Sequence, residues 1–199
     1  MNPHEVVSRQ HADCLAVLTR YAQHTDDDRQ RELALDIRSY VERTSDATTR
    51  ACRPDHVTAS AVVISPDASA VMLDLHRKAN RWLQFGGHLE DTDATLAEAA
   101  LREAHEESGC ADLRLLVADP VMIDVHPAPC GAQRHLDVQF VAVAPRGARP
   151  VASAESHDVR WFAVDDLPPD ADPSVRRLVA QAVVRVSAGS ASGAPTPSS

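Results

Sequence analysis

Lysine is all but missing from this sequence: Lys78 is the only one, so nearly all of its positive charge is arginine. Positive charge is in deficit as well, with 20 Lys and Arg against 29 Asp and Glu and a formal net charge of −9. That balance argues against a general nucleic-acid or membrane-surface binder, which carries a basic face. Aromatic residues are scarce, two Trp, two Tyr and three Phe, and this leaves little material for stacking a base between rings. The four cysteines, Cys14, Cys52, Cys110 and Cys130, lie far apart with no CxxC pair. They read as reduced thiols of a cytoplasmic protein, not as a disulfide framework or a zinc site. No stretch approaches the length of a membrane span, and no apolar run follows basic residues at the N-terminus.

What is present is an ordinary globular composition, 44% apolar and 25% charged over 199 residues, enough for one domain with a full core plus an appendage. Residues 4–22 and 28–44 carry apolar side chains at helical spacing (Leu15, Leu18 and Tyr21, then Leu33, Ile37 and Tyr40 with Val41), and Asp26–Asp28 suits the second helix's N-terminus. This pair predicts a helical extension over 1–50, packed on the main domain or making a homodimer contact. From about 56 the pattern turns to strands: His56–Ser65, Ala70–Leu75 after the Ser65-Pro66-Asp67 turn, Arg81–Phe85, Leu113–Val125, Leu136–Ala144 and Val159–Val164. Helices are expected at about 96–108 and at Ser174–Val186, with a Ser/Ala/Gly/Pro-rich disordered tail over 187–199. The order fits an α/β fold, a mixed sheet with helices on both faces over 51–186.

The segment from Gly86 to Cys110 carries the chemistry. Thr95 and Glu98 form a capping box that opens a helix, and Gly109 falls at its left-handed C-cap. Ala97, Ala100, Leu101, Ala104 and Ser108 share a small, apolar face able to sit close against a sheet. Glu103, Glu106 and Glu107, at i, i+3 and i+4, converge on one side, where like charges cost about 0.2–0.5 kcal/mol per pair. At helical spacing only Arg102 and His105 stand near, and they are expected to point elsewhere or carry little charge. A hard divalent cation resolves the repulsion, because oxygen donors suit Mg²⁺ and Mg²⁺ bridges carboxylates to phosphates.

Gly-Gly, a loop and a helix ending Arg102-Glu103-Ala104-His105-Glu106-Glu107-Ser108-Gly109-Cys110 resemble the Nudix box, GX5EX7REUXEEXGU, with U aliphatic. The REUXEEXG half matches at every fixed position, and Gly87 serves as the leading glycine. Asp93 stands where the family has Glu, and eight residues instead of seven separate it from Arg102. The resemblance implies a Nudix-like α/β/α sandwich and a Nudix hydrolase, a Mg²⁺-dependent pyrophosphohydrolase with Mn²⁺ as substitute. It implies Glu103, Glu106 and Glu107 as metal ligands, with the Gly87 carbonyl a further one, and a structural Arg102 that orients the glutamates. Glu155, at the family's spacing before Trp161, is the candidate loop acid, with Asp158 behind it; Glu103, Glu106 and Glu155 form the catalytic set, and the general base stays open between Glu103 and the loop acid.

The expected substrate is a nucleoside diphosphate-X type small molecule, with no nucleic acid or membrane as partner. Arg81, His88, His126, His135 and Asp137 are the candidate substrate contacts. His126, His135 and Asp137 also suggest a His/His/Asp metal set, but their spacing crosses a loop of variable shape, so lining a pocket from two strands is the reading taken. The alternative to an enzyme is a non-catalytic ligand-sensing Nudix module, which predicts a lost carboxylate in the helix; none is lost.

Overall fold

The computed structural model describes residues 3–154 and 156–191, which form four helices and eight strands. Helices α1 (Pro3–His24) and α2 (Asp28–Arg43) fall where apolar spacing puts them. Asp27 caps α2 by accepting a hydrogen bond from the Gln30 N–H at 3.1 Å, which satisfies one of the donors a helix start leaves free.

The sheet is organised around the buried ten-residue strand β1 (Asp55–Ile64). Along one side β1 runs parallel to β7 (Arg134–Val143), in unbroken register from Asp55 opposite Arg134 to Ile64 opposite Val143. On its other side β1 changes partner. It pairs antiparallel with β2 (Ala70–His76) at Val63 and Ile64, and with β4 (Phe85–His88) from Thr58 to Ala61. This fork corrects the expectation of one strand over Arg81–Phe85. Residues Arg81–Leu83 turn back onto β2 as β3, and the chain must step across from β2 to β1 at Gln84 before β4 begins.

The expected strand Leu113–Val125 is also broken, into β5 (Arg114–Leu115) and β6 (Met122–Pro127), both antiparallel to β7. The Leu116 and Val121 N–H groups bond to the Val141 and Gln139 carbonyls, so 117–120 is looped out between adjacent ladder positions, where Pro120 has no N–H to give. Strand β8 (Ser156–Ala163) closes the far side on β2. The last helix, α4 (Pro173–Ala191), runs five residues into the segment expected as tail; 192–199 lie outside the described residues.

Alternate side chains of a strand face opposite sides, and the sheet therefore has two cores. Val57, Ala59, Ala61 and Val63 of β1, with Leu136, Val138, Phe140 and Ala142 of β7, pack under α1, α2 and α3 (Leu96–Ser108). Val62, Ile64, Val141, Val71 and Leu73 pack under Val175, Leu178, Val179 and Ala182 of α4. The result is the expected three-layer α/β/α arrangement. Leu18 and Ile37 of the N-terminal pair belong to the same core as α3, and full burial of such a side chain contributes about 1.5–3 kcal/mol. Among the described residues no helix is long and apolar enough to cross a membrane.

Candidate active site

Helix α3 is held at both ends by side chains the sequence places there. Thr95 Oγ1 accepts from the Glu98 N–H at 3.1 Å, and Glu98 reaches back to the Ala94 N–H at 2.7 Å. Gly109 takes the left-handed C-cap at φ 63°. A third support comes from outside the motif: Asp13 of α1 accepts the Leu96 N–H at 2.8 Å, capping α3 in trans. Gln10, buried on the same helix, donates to the Glu90 and Asp93 carbonyls at 2.7 and 2.8 Å. Sequence reading gave α1 no part in this site, since nothing in an amphipathic pattern says which loop its polar residues will meet.

The last three glutamates of α3 have different settings. Glu107, 8% exposed, lies on the helix's buried stripe with Ala100 and Ala104, and its Oε2 accepts the Gly86 N–H at 2.9 Å. Glu103, with its side chain 15% exposed, faces the next residue of the same bend: a Cβ on Gly87 would stand 2.6 Å from Glu103 Oε1. Glu106 is 59% exposed and turned to solvent, held at 3.1 Å by Arg102 Nη1. Burial pushes the Glu103 carboxyl above its ordinary value; the charge of Arg102 opposes this and those of Glu106 and Glu90 add to it.

Arg102 does not point away from this group, as its place on the helix suggested. Its guanidinium binds Asp93 through Nε at 3.0 Å and Nη2 at 3.0 Å, donates to the His88 carbonyl at 2.9 Å, and pairs with Glu103 at 3.1 Å and with Glu106. A five-donor planar fork is suited to such a set of partners. Burial alone would lower the Arg102 pKa, but the hydrogen bonds to Asp93 and the charges of Glu103 and Asp93 outweigh it and raise it. Asp93, buried, also accepts the Glu90 N–H at 2.8 Å, so the shorter acid and the extra loop residue still deliver a carboxylate to Arg102.

These residues fit a hard divalent cation. Glu103 and Glu107 bring oxygen donors to the glycine bend, and glycine at 87 leaves Glu103 the room a side chain would fill. Four carboxylates (Glu90, Asp93, Glu103 and Glu106) surround one guanidinium and a fifth, Glu107, meets the same bend, a negative excess that a dication offsets.

The other expected site residues are distributed differently. Successive residues of β4 face opposite sides of the sheet, so Gly87 faces α3 while His88 faces away from it. His88 meets His135 there, together with two residues the sequence reading did not select, His56 and Cys130. Burial, reinforced by neighbouring imidazoles, pushes His88 and His135 down to about 4. His126 lies across from His135 on β6, half-exposed, with ring centroids 5.2 Å apart. Asp137, though two residues from His135, belongs to a separate buried network: it accepts from Thr58 at 3.0 Å, Ser60 at 2.7 Å and Gln139 at 2.9 Å. Arg81 is exposed on β3 and pairs with Asp172 at 3.3 Å, just before α4. Asp158 pairs with Arg160, and Glu155 lies outside the described residues.

The sequence profile of the NUDIX domain matches residues 54–182, about two thirds of the chain, and the chain belongs to the Nudix family. No curated protein sequence matches it. Among solved structures it is similar to a NUDIX family hydrolase from Clostridium perfringens, at 22% identity and TM-score 0.54, over 67% of this chain and 97% of that one. It is similar at TM-score 0.54 to a C. elegans Ap4A hydrolase in a binary complex, with 18% identity over 68% of this chain and 98% of the other. The E. coli dihydroneopterin triphosphate pyrophosphohydrolase matches at TM-score 0.54 and 22% identity, over 66% and 96% of the two chains. At these identities the likeness is one of fold.

Proposed function

We propose that this Nudix hydrolase cleaves a diphosphate linkage in a small molecule of the nucleoside diphosphate-X type, with Mg²⁺ or Mn²⁺ held by Glu103, Glu106, Glu107 and the Gly87 carbonyl. The observation that carries the proposal is the turning of Glu103 and Glu107 onto the Gly86-Gly87 bend, with Arg102 fixing the remaining acids around them. When bound, the cation neutralises charge on the bridging phosphates and acidifies an attacking water.

The chain's own groups supply the rest. Glycine at 86 lets β4 lie close against Ser60 of β1, and glycine at 87 leaves the Glu103 carboxylate its place beside the bend. Arg102 shares its charge among Asp93, Glu103 and Glu106, which fixes the carboxylates before substrate arrives and reduces the reorganisation the reaction must drive. Glu103, buried beside the glycine bend, is one candidate proton acceptor. Glu155 is the alternative base. Of the side chains expected to touch substrate, Arg81 and His126 stay accessible. Two structural neighbours are named for small phosphorylated molecules, an Ap4A hydrolase and a dihydroneopterin triphosphate pyrophosphohydrolase. Four free thiols fit a cytoplasmic, reducing setting.

The test is a phosphate-release panel over nucleoside triphosphates, dinucleotide polyphosphates, nucleotide sugars and ADP-ribose with Mg²⁺ or Mn²⁺, comparing the native chain with Glu106→Gln. Metal-dependent turnover that the variant loses supports the proposal. Tight binding of one of these compounds without turnover would make the chain a ligand-sensing module.

A further inference from the structure

Four donor atoms converge on the α4 side of the sheet, at the end of β1 remote from α4. His56 is the second residue of β1 and His135 the second of β7, His88 ends β4, and Cys130 stands in the β6–β7 connection. The parallel register sets His56 directly opposite His135, and the antiparallel register sets His88 opposite Thr58, one same-face step from His56. The loop between β6 and β7 then folds Cys130 over the three rings. His56 Nε2 lies 3.1 Å from His88 Nε2 and 3.5 Å from Cys130 Sγ, and Cys130 Sγ lies 3.3 Å from His135 Nε2. All four donor atoms fall within 4.8 Å of one another.

The three separations of 3.1, 3.3 and 3.5 Å are those of a tetrahedron's edges. With Zn–N of about 2.0–2.1 Å and Zn–S of about 2.3 Å, tetrahedral ligands stand roughly 3.3 Å apart for two nitrogens and roughly 3.5 Å for nitrogen and sulfur. The rings also expose the right atom. His56 Nδ1 is 3.3 Å from the Cys52 carbonyl, and donating there leaves the Nε2 lone pair directed at the cluster, the outer-sphere arrangement that orients metal-bound histidines. His56 is fully buried, so its ring has no solvent to turn toward.

We infer that His56, His88, Cys130 and His135 form a structural Zn²⁺ site, distinct from the carboxylate site of α3. Three imidazoles and a thiolate are donors that select zinc over Mg²⁺, whose preference is oxygen. Four protein ligands close the coordination shell, leaving no position for a substrate or a reactive water, so the site's work is to tie segments together. It ties β1, β4 and β7 to the β6–β7 loop. Binding releases the Cys130 thiol proton to solvent and changes no oxidation state. His88 connects the two regions, since its backbone carbonyl accepts from Arg102 while its ring joins the cluster.

Metal analysis of the full chain, purified with zinc supplied and dialysed against excess Mg²⁺, tests this. The expected result is close to one zinc per chain in the native protein and in Glu106→Gln, and loss of most of it in Cys130→Ser and in His135→Gln. Replacing zinc by Co²⁺ should give the intense visible bands and thiolate charge-transfer absorption of a tetrahedral site, and should protect Cys130 from thiol reagents. Because Cys130 is only half-buried, Cys130→Ser is expected to fold, which its circular dichroism verifies. Native protein that holds no zinc and gives octahedral Co²⁺ spectra would overturn the inference, leaving a hydrogen-bonded histidine cluster. So would zinc retained equally by Cys130→Ser and lost from Glu106→Gln, which would place the ion among the carboxylates. Diphosphate hydrolysis is read separately, by the turnover panel.

Discussion

Two clusters of ionisable residues lie back to back across strand β4, and they are assembled in opposite ways. The carboxylate cluster comes from one continuous stretch: a glycine bend, a loop and a helix within residues 86–107. The histidine–cysteine cluster draws residues 56, 88, 130 and 135 from three strands and a loop. Local geometry builds the first, because helical spacing alone brings Glu103, Glu106 and Glu107 to one side. The second exists only once the β1–β7 and β1–β4 registers are set. The first can be read from a sequence and the second cannot.

That difference can be probed by substitutions that act on one cluster or on the link between them. The largest effect is expected from Arg102→Ala, which leaves buried Asp93 without its cation; breaking such a pair costs about 3–5 kcal/mol, and urea denaturation should show an unfolding free energy lower by that amount. Glu106→Gln should reduce Mg²⁺-dependent turnover about 100-fold or more with little change in the denaturation midpoint, since its side chain is mostly in solvent. The glycines separate folding from chemistry. Gly86→Ala would set a Cβ 2.3 Å from Ser60 Cβ and 2.7 Å from Ser60 Cα on the neighbouring strand, and overpacking against backbone should cost about 1–3 kcal/mol. Gly87→Ala meets only the end of the Glu103 side chain, so thermal unfolding should move little while kcat falls, because Glu103 must turn away from the bend. The smallest effect belongs to Gln10→Ala, which removes two hydrogen bonds to the loop before α3 and should cost about 1 kcal/mol, read as a lower melting temperature at unchanged substrate preference.

The elements were legible to similarly uneven degrees. Both N-terminal helices, α3 with its two caps and the central strands follow from apolar spacing and from Thr95, Glu98 and Gly109. The break at Gln84 did not, because Arg81–Phe85 has strand chemistry throughout, and only the partner change along β1 divides it. The setting of Arg102 is not legible in its helical position, which gives the direction of a Cβ, whereas a long guanidinium reaches back to the loop from which Asp93 comes. His135 and Asp137 both stand among the expected substrate contacts, yet their neighbours on β1 separate them: Asp137 accepts from Thr58 and Ser60, while the His135 ring lies against that of His56.

The trans cap that Asp13 places on α3 has a practical consequence for anyone trimming this chain. The family match begins at residue 54, which makes the first fifty residues look dispensable. Starting the polypeptide there would strip α3 of its first-turn acceptor, untie the loop that Gln10 braces, and take Leu18 and Ile37 out of the core to which α3 belongs. A minimal version of this enzyme would have to keep its opening helices.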